Sequence, residues 1–360
     1  MTEHILLIEP NYYSQFPPLG LLKLSSLEKL KGNTTELIRK NIASKKRPDK
    51  IYVTSLFTWA WRPVWQSVRN LKAWYPDVEI TLGGLYASLM PDHARLSGAD
   101  KIFIGLHEEA ENVIPDYSLV PEWDGSIFFA SRGCNNNCLN CVVPRLEGRI
   151  CHEHKSIQNL IWKGHTKLIF FDNNILAMKY WKEIFNEIIS LGMEVDFNQG
   201  LEARLISEDA ATLISKMNIP RVRLAYDNSA QKEFVKNAIN LLGKKGIHKR
   251  QILIYTMFNF TESPDDFLDR VRDILEWGAA CYPMRFQPVN TLKKDSYVAS
   301  NWTQEQLNMV AAARRVIGYG GAFPPYEGLK KKFLKAHSFD EAFELYPIKT
   351  EIPKKRLLKK

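Results

Sequence analysis

Three of the five cysteines fall within one short run, Ser131-Arg132-Gly133-Cys134-Asn135-Asn136-Asn137-Cys138-Leu139-Asn140-Cys141, with the spacing C-x3-C-x2-C. The run is rich in Gly and Asn and directly follows a predicted strand, so it reads as a loop that curls three thiolates around one inorganic centre. Iron-sulfur clusters are held by cysteine thiolates. A cube of four irons given only three thiolates keeps one iron open, and an open position on a metal is where a substrate or cofactor binds. Structural zinc is the alternative. It needs a fourth ligand, for which Cys151 and His152 are candidates, and it commonly uses two C-x2-C pairs where this chain has one. An odd, clustered cysteine count argues against a disulfide framework. Cys151 and Cys281 read as core or surface thiols.

The elements around the loop alternate. Strands are expected at His4 to Ile8, Lys50 to Leu56, Val78 to Leu82 and Lys101 to Ile104, with helices over Leu19 to Leu30 and Arg62 to Trp74. Residues 32 to 50 are polar and basic and read as weak structure, too short for a full second strand and helix. Around Pro115 and Pro121 the chain reads as a linker. The alternation then restarts, with strands at Ser126 to Ala130, Lys167 to Phe171, Glu194 to Asn198, Arg221 to Tyr226, Gln251 to Met257 and Met284 to Pro288. Helices are expected between them at Ser156 to Lys163, Lys179 to Leu191, Glu208 to Met217, Gln231 to Lys244 and Pro264 to Trp277, and a last one at Thr303 to Ile317. Strands alternating with helices form parallel sheets. Six such units are too few for the eight-stranded barrel and suit a partial one. Ligands on such sheets bind at the carboxyl ends of the strands. The expected division is 1–121, 122–290, and a helical extension with a basic tail over 291–360.

The chain has 360 residues, 45% of them hydrophobic, enough for two domains with a large core and no disulfide staples. Lys and Arg exceed Asp and Glu by 49 to 40, with clusters at Lys45, Lys46 and Arg47, at Lys330 to Lys332, and from Lys354 to Lys360. Both a nucleic-acid partner and plain solvated lysine fit that balance. No apolar stretch is long enough to span a membrane. The run from Met1 to Glu9 reads as a strand rather than a signal peptide, and the expected compartment is the reducing cytoplasm.

The cysteine triplet after the first strand of a six-unit β-α array resembles the radical S-adenosylmethionine (SAM) superfamily, over about residues 125 to 290. The resemblance implies an α/β partial (β/α)6 barrel with a [4Fe-4S] cluster on Cys134, Cys138 and Cys141. It also implies SAM as cofactor and an external reductant such as flavodoxin or ferredoxin. The residue before the last cysteine, usually aromatic in this superfamily and close to the adenine, is Asn140 here. The run from Cys141 to Gly148 resembles the segment after the cluster in methylthiotransferases, whose extra N-terminal cysteines this chain lacks.

Further site residues follow from the same resemblance. Asp172 and Asn174 end the second strand, where the superfamily places its contact to the SAM amino group. Gln199 and Arg204 follow the third, with Arg204 a candidate for the carboxylate. Asp227 ends the fourth, where a carboxylate on the ribose fits. Asp172 and Asp227 read equally as helix caps. Arg285 and Gln287 share one side of the last strand and either read substrate or pair with a neighbour.

The N-terminal unit, with Pro17-Pro18-Leu19-Gly20-Leu21-Leu22, Thr54-Ser55-Leu56 and Leu82-Gly83-Gly84-Leu85-Tyr86-Ala87-Ser88, resembles the Rossmann-like cobalamin-binding domain that precedes many radical SAM cores. Gly83 and Gly84 at a strand end let a backbone approach a flat ligand. The D-x-H-x-x-G motif that supplies a histidine to cobalt is missing. A cofactor-binding domain and a vestigial layer both fit. The expected functions are radical SAM chemistry on an unknown substrate, with or without cobalamin-dependent methylation, on a nucleic acid, a peptide or another molecule. A zinc-stabilised basic binding protein is the reading from another class.

Overall fold

A computed structural model describes residues 2–39 and 42–345. The basic tail from Lys354 to Lys360 lies outside the described residues. The N-terminal half builds one parallel sheet from β1 (His4–Ile8), β2 (Thr34–Ile38), β3 (Lys50–Val53), β4 (Glu79–Leu82) and β5 (Lys101–Ile102), in the order β2-β1-β3-β4-β5. All five residues of β1 are buried, as a strand covered on both faces requires. Strand order reverses between β1 and β3, and the carboxyl ends of two strands that diverge in this way form a crevice. Helix Leu19–Leu30 packs on one face and helix Trp61–Trp74 on the other, the second burying Val64, Val68 and Leu71 against Ile51, Ile80 and Leu82.

The expectation that residues 32 to 50 are weak structure, too short for a full second strand and helix, is corrected for the strand. Thr34 to Ile38 pair in parallel register with His4 to Ile8, and no helix occurs in residues 42–49 before β3 begins. The strand is half-exposed at the sheet edge, so it lacks the apolar run that marks a central strand.

The second half carries β6 (Gly125–Phe128), β7 (Lys167–Phe170), β8 (Glu194–Phe197), β9 (Val222–Ala225), β10 (Ile252–Phe258) and β11 (Ala280–Arg285). These form two three-stranded parallel sheets, β6-β7-β8 and β9-β10-β11, rather than one ladder of six. After β8 the chain turns at Gly200, with φ +87°, and Leu201 N donates to Arg223 O at 2.8 Å. The loop thus takes an acceptor on β9 that a longer β8 would have used. An ion pair between Arg223 and Asp196 ties the two sheets together.

Two other expectations shift. The segment expected as helix Ser156 to Lys163 makes only a short turn, Gln158–Leu160, because the Glu187 carboxylate takes Ile157 N and Ser156 Oγ, both at 2.8 Å. The last strand begins at Ala280 rather than Met284. Pro283 disguises it in the sequence, and proline is tolerated because β11 is the outermost strand of its sheet. Helices Gln304–Val316, Glu327–Lys335 and Phe339–Phe343 follow, and Phe333, Phe339 and Phe343 join the barrel core beside Phe267 and Trp302. No helix among the described residues is long and apolar enough to cross a membrane.

Candidate cluster and cofactor site

The cysteine loop leaves the carboxyl end of β6. Gly133 adopts φ +75°, and a Cβ there would sit 2.2 Å from Arg149 O, so only glycine fits this approach. Arg132 and Cys151 exchange two backbone hydrogen bonds, of 2.9 and 3.0 Å, closing the loop at its base. Cys134 N donates to Gly148 O at 3.1 Å, and Cys141 N to Cys138 O at 3.1 Å. Backbone N–H groups point at two of the sulfurs, Asn136 N at Cys134 Sγ and Val143 N at Cys141 Sγ, each at 3.4 Å. Burial pushes the Cys138 and Cys141 thiols up, and negative charge on Cys134 adds to the effect at both. Bound iron inverts that tendency, since a coordinating thiol is deprotonated outright.

Carboxylates hold this loop from three sides. Asp172 is buried, and its oxygens accept from Ala130 N (2.9 Å), Ser131 N (2.6 Å) and Ser131 Oγ (3.0 Å). Burial pushes its carboxyl up to about 6 against the pull of those bonds. Glu147 accepts from Gly133 N and Asn173 Nδ2, both at 3.0 Å. Glu111, from the segment before β6, receives Arg132. The sequence leaves Asp172 between a cofactor contact and a helix cap; in the structure its oxygens accept from Ala130 and Ser131 at the base of the loop. Glu111 and Glu147 were missed, since nothing local in their neighbourhoods marks them.

Asn174 stands apart. It is buried, its Nδ2 lies 3.8 Å from Cys134 Sγ, and its Oδ1 is a buried acceptor without a hydrogen-bond partner. Leaving such an atom unsatisfied is costly, and a ligand donor beside Cys134 would relieve it. Arg204 lies close enough to Cys138 and Cys134 to feel their charge, but its guanidinium is engaged by Glu202 at 2.9 and 2.7 Å. Glu202 also accepts from Asn136 of the cysteine loop at 2.8 Å. Burial pushes Glu202 up, while the bonds and charge of Arg204 outweigh it and hold the carboxyl below its usual range.

A cavity of about 970 Å³ lies against one face of β9, β10 and β11. Gln199, Asp227, Arg285 and Gln287 line it, as does Asn140 of the cysteine loop and Gln15 of the N-terminal half. Asp227 accepts from Met257 N at 3.0 Å, and burial raises its pKa. Arg285 and Gln287 also pair with a neighbour. Arg285 donates to the carbonyls of Asp295 and Tyr297, and Gln287 accepts from Asp295 N at 2.7 Å. Of the sequence-selected residues, Gln199, Asp227, Arg285 and Gln287 thus share one cavity, while Asp172, Asn174 and Arg204 stand on the cysteine-loop side.

No three His, Cys, Asp or Glu side chains among the described residues converge on a point suited to a single metal ion. Tetrahedral zinc needs that convergence, with every sulfur about 2.3 Å from one ion. Three cysteine thiolates on one loop are a donor set that a four-iron cube accepts, each thiolate on a separate iron. Of the two zinc alternates, His152 has its Nε2 3.2 Å from Glu108.

At the N-terminal sheet, Gly83 and Gly84 separate. A Cβ on Gly84 would lie 2.2 Å from Ser55 O, and the residue has φ +96°; this glycine lets the loop after β4 pack on the loop after β3. Gly83 has only ordinary contacts, the nearest at 3.6 Å from Phe103. The carboxyl ends of β1, β3, β4 and β5 are followed by exposed Tyr13, Phe57, Leu85, Phe103 and Ile104.

No protein-family model matches the chain. No curated protein matches it either. Among solved structures it is similar to the radical S-adenosylmethionine methyltransferase TsrM from Kitasatospora setae, determined with cobalamin and a [4Fe-4S] cluster bound. That similarity has a TM-score of 0.61 at 13% identity, over 81% of this chain and 77% of that one. It is also similar to the radical SAM enzyme coproporphyrinogen III oxidase (HemN) from Escherichia coli, with a TM-score of 0.36 at 12% identity, over 58% of this chain and 57% of that one. The architecture is accordingly the fold of that methyltransferase, here a five-stranded parallel Rossmann-like layer followed by a partial barrel of two three-stranded parallel sheets.

Proposed function

We propose that the chain is a radical SAM enzyme that holds a [4Fe-4S] cluster on Cys134, Cys138 and Cys141 and modifies a substrate seated in the barrel cavity. The observation that carries this reading is the partnerless Asn174 Oδ1 beside Cys134, an acceptor waiting for a donor where the SAM amino group would lie. When bound, the cluster would supply the single electron that cleaves SAM to methionine and, after hydrogen uptake, 5′-deoxyadenosine. Asn174 would orient the cofactor amino group. Arg204, held by Glu202, would set positive charge toward the carboxylate. Asp227 and Gln199, on the cavity wall, would take the sugar hydroxyls. A flavodoxin- or ferredoxin-type protein would serve as electron donor.

The finer reading is cobalamin-dependent methylation. Its support is the row of exposed apolar side chains at four strand ends around the β1/β3 crevice, where a corrin face would be covered. The test is anaerobic reconstitution with iron and sulfide, then incubation with SAM and dithionite. Release of 5′-deoxyadenosine and methionine is expected, with S-adenosylhomocysteine in addition if methyl groups are transferred. A fully loaded cluster that yields neither nucleoside product, with candidate substrates present, would overturn the proposal.

A further inference from the structure

The inner face of the second sheet is ordered by charge along the strand axis. Paired in register across β10 and β11, Leu253 with Ala280, Tyr255 with Tyr282 and Met257 with Met284 form three rows, and all six line the cavity. At the carboxyl end, on the side of the cysteine loop, lie Asp227, the amides of Asn140, Asn198 and Gln199, and Arg285. Arg285 is held by the carbonyls of Asp295 and Tyr297 and has the Asp295 carboxylate 3.9 Å away. The middle row is aromatic, with the rings of Tyr255 and Tyr282 edge to face at 5.4 Å. At the amino end the wall carries Arg221, Arg223 and Arg250.

Their partners differ. Arg223 is neutralised by Asp196. Arg221 and Arg250 have no carboxylate partner among the described residues, and Asp227, the acidic residue on the cavity wall, stands at the opposite end. A second groove shares Arg250 and adds Lys244 and Lys249, likewise without ion pairs among the described residues. Guanidinium groups recognise phosphate and carboxylate in bidentate fashion. A chamber with a polar reactive end, an aromatic waist and a cationic far end is selective for a molecule with the matching order of groups. Its volume is that of a small-molecule site.

We infer that the substrate is a small aromatic molecule bearing a phosphate or carboxylate, its anion held by Arg221 and Arg250 and its ring at Tyr255 and Tyr282. This rests on the barrel cavity being the substrate chamber of the proposed enzyme. It goes further by fixing the substrate's charge and its direction of insertion.

Phenyl phosphate, phenylacetate and phenol serve as probes in calorimetric titrations of the full chain, both as purified and as Cys134→Ala. Either anionic probe should bind at least ten-fold more tightly than phenol, and the preferred anion distinguishes phosphate from carboxylate. Arg221→Gln/Arg250→Gln should erase that difference while the melting temperature stays at the wild-type value. Tyr282→Leu should weaken all three probes alike. Equal affinity for phenol and both anions, an anion preference that survives the double arginine variant, or displacement of the probe by micromolar tRNA would overturn the inference. Binding needs no cluster, so the two proposals fail separately. Anion binding without 5′-deoxyadenosine formation refutes the radical reading alone, and the converse refutes the anion site alone.

Discussion

Arg132 donates two hydrogen bonds to Glu111, of 2.8 and 3.1 Å, and through them the cysteine loop is fastened to the segment that joins the two sheets. Lys23, on helix Leu19–Leu30, reaches the same carboxylate at 3.4 Å, and the Arg132 guanidinium lies 3.5 Å from the Phe129 ring centre. The loop that would carry iron and the helix beside β1 therefore share one buried charge centre.

That centre should be felt in stability. Removing one member of a buried pair costs roughly 3–5 kcal/mol because it strands the others. Glu111→Gln leaves Arg132 and Lys23 facing a neutral amide, so its melting temperature should fall clearly below wild type. Burial pushes the Glu111 carboxyl up, but the Arg132 and Lys23 contacts outweigh this and hold it below the ordinary value of 4.5. Its folded pKa lies below its unfolded one, so its contribution is present above the ordinary value and disappears as pH falls through the folded value. Calorimetric melts between neutral and acid pH should show that loss in wild type and not in Glu111→Gln.

Cluster loading should divide the cysteines. Alanine at position 134, 138 or 141 should reduce reconstituted iron to background, while Cys151→Ala and Cys281→Ala should load normally. Iron and sulfide content, with the electron paramagnetic resonance of the reduced protein, reads the difference. A full-strength cluster in any triplet variant would remove the ligand assignment.

Asn174→Ala should keep the iron and lose cofactor. One neutral hydrogen bond is worth about 1 kcal/mol, so SAM affinity should drop about five- to ten-fold. Equilibrium dialysis against labelled SAM measures it; unchanged affinity would place the amino group elsewhere.

The glycine pair makes a contrast independent of any ligand. Gly84→Ala forces a Cβ into Ser55 at a positive φ and should destabilise by about 1–3 kcal/mol. Gly83→Ala meets only ordinary contacts and should melt near wild type. Urea denaturation resolves the two. Because Gly84 is needed for folding, corrin binding is better tested by cobalamin retained in wild-type protein produced with the vitamin than by enlarging this residue.

The sequence was most legible where burial and pattern coincide. The apolar run His4 to Ile8 and the periodicity of Leu19 to Leu30 fall where read. Edge elements were less legible: Thr34 to Ile38 is a half-exposed strand, and Pro283 masks β11. At the site, the triplet announces itself by spacing. The groups that hold it do not, since Glu111 and Glu147 meet Arg132 and Gly133 only after the chain has folded back. Strand-end position picked out both Asp172 and Asn174, but it could not tell the loop-shaping carboxylate from the residue with a free acceptor. That difference lies in hydrogen bonds made across the sheet.

The bonds that shape the cysteine loop end on Asp172, Glu147 and Glu111, and none of these carboxylates binds a sulfur. Oxygen attacks inorganic cores first, leaving side-chain oxygens and main-chain amides as they were. A mould kept open by carboxylates survives the corrosion of what is cast in it. Were a cluster held there and lost, the folded loop would remain for another to be built in it.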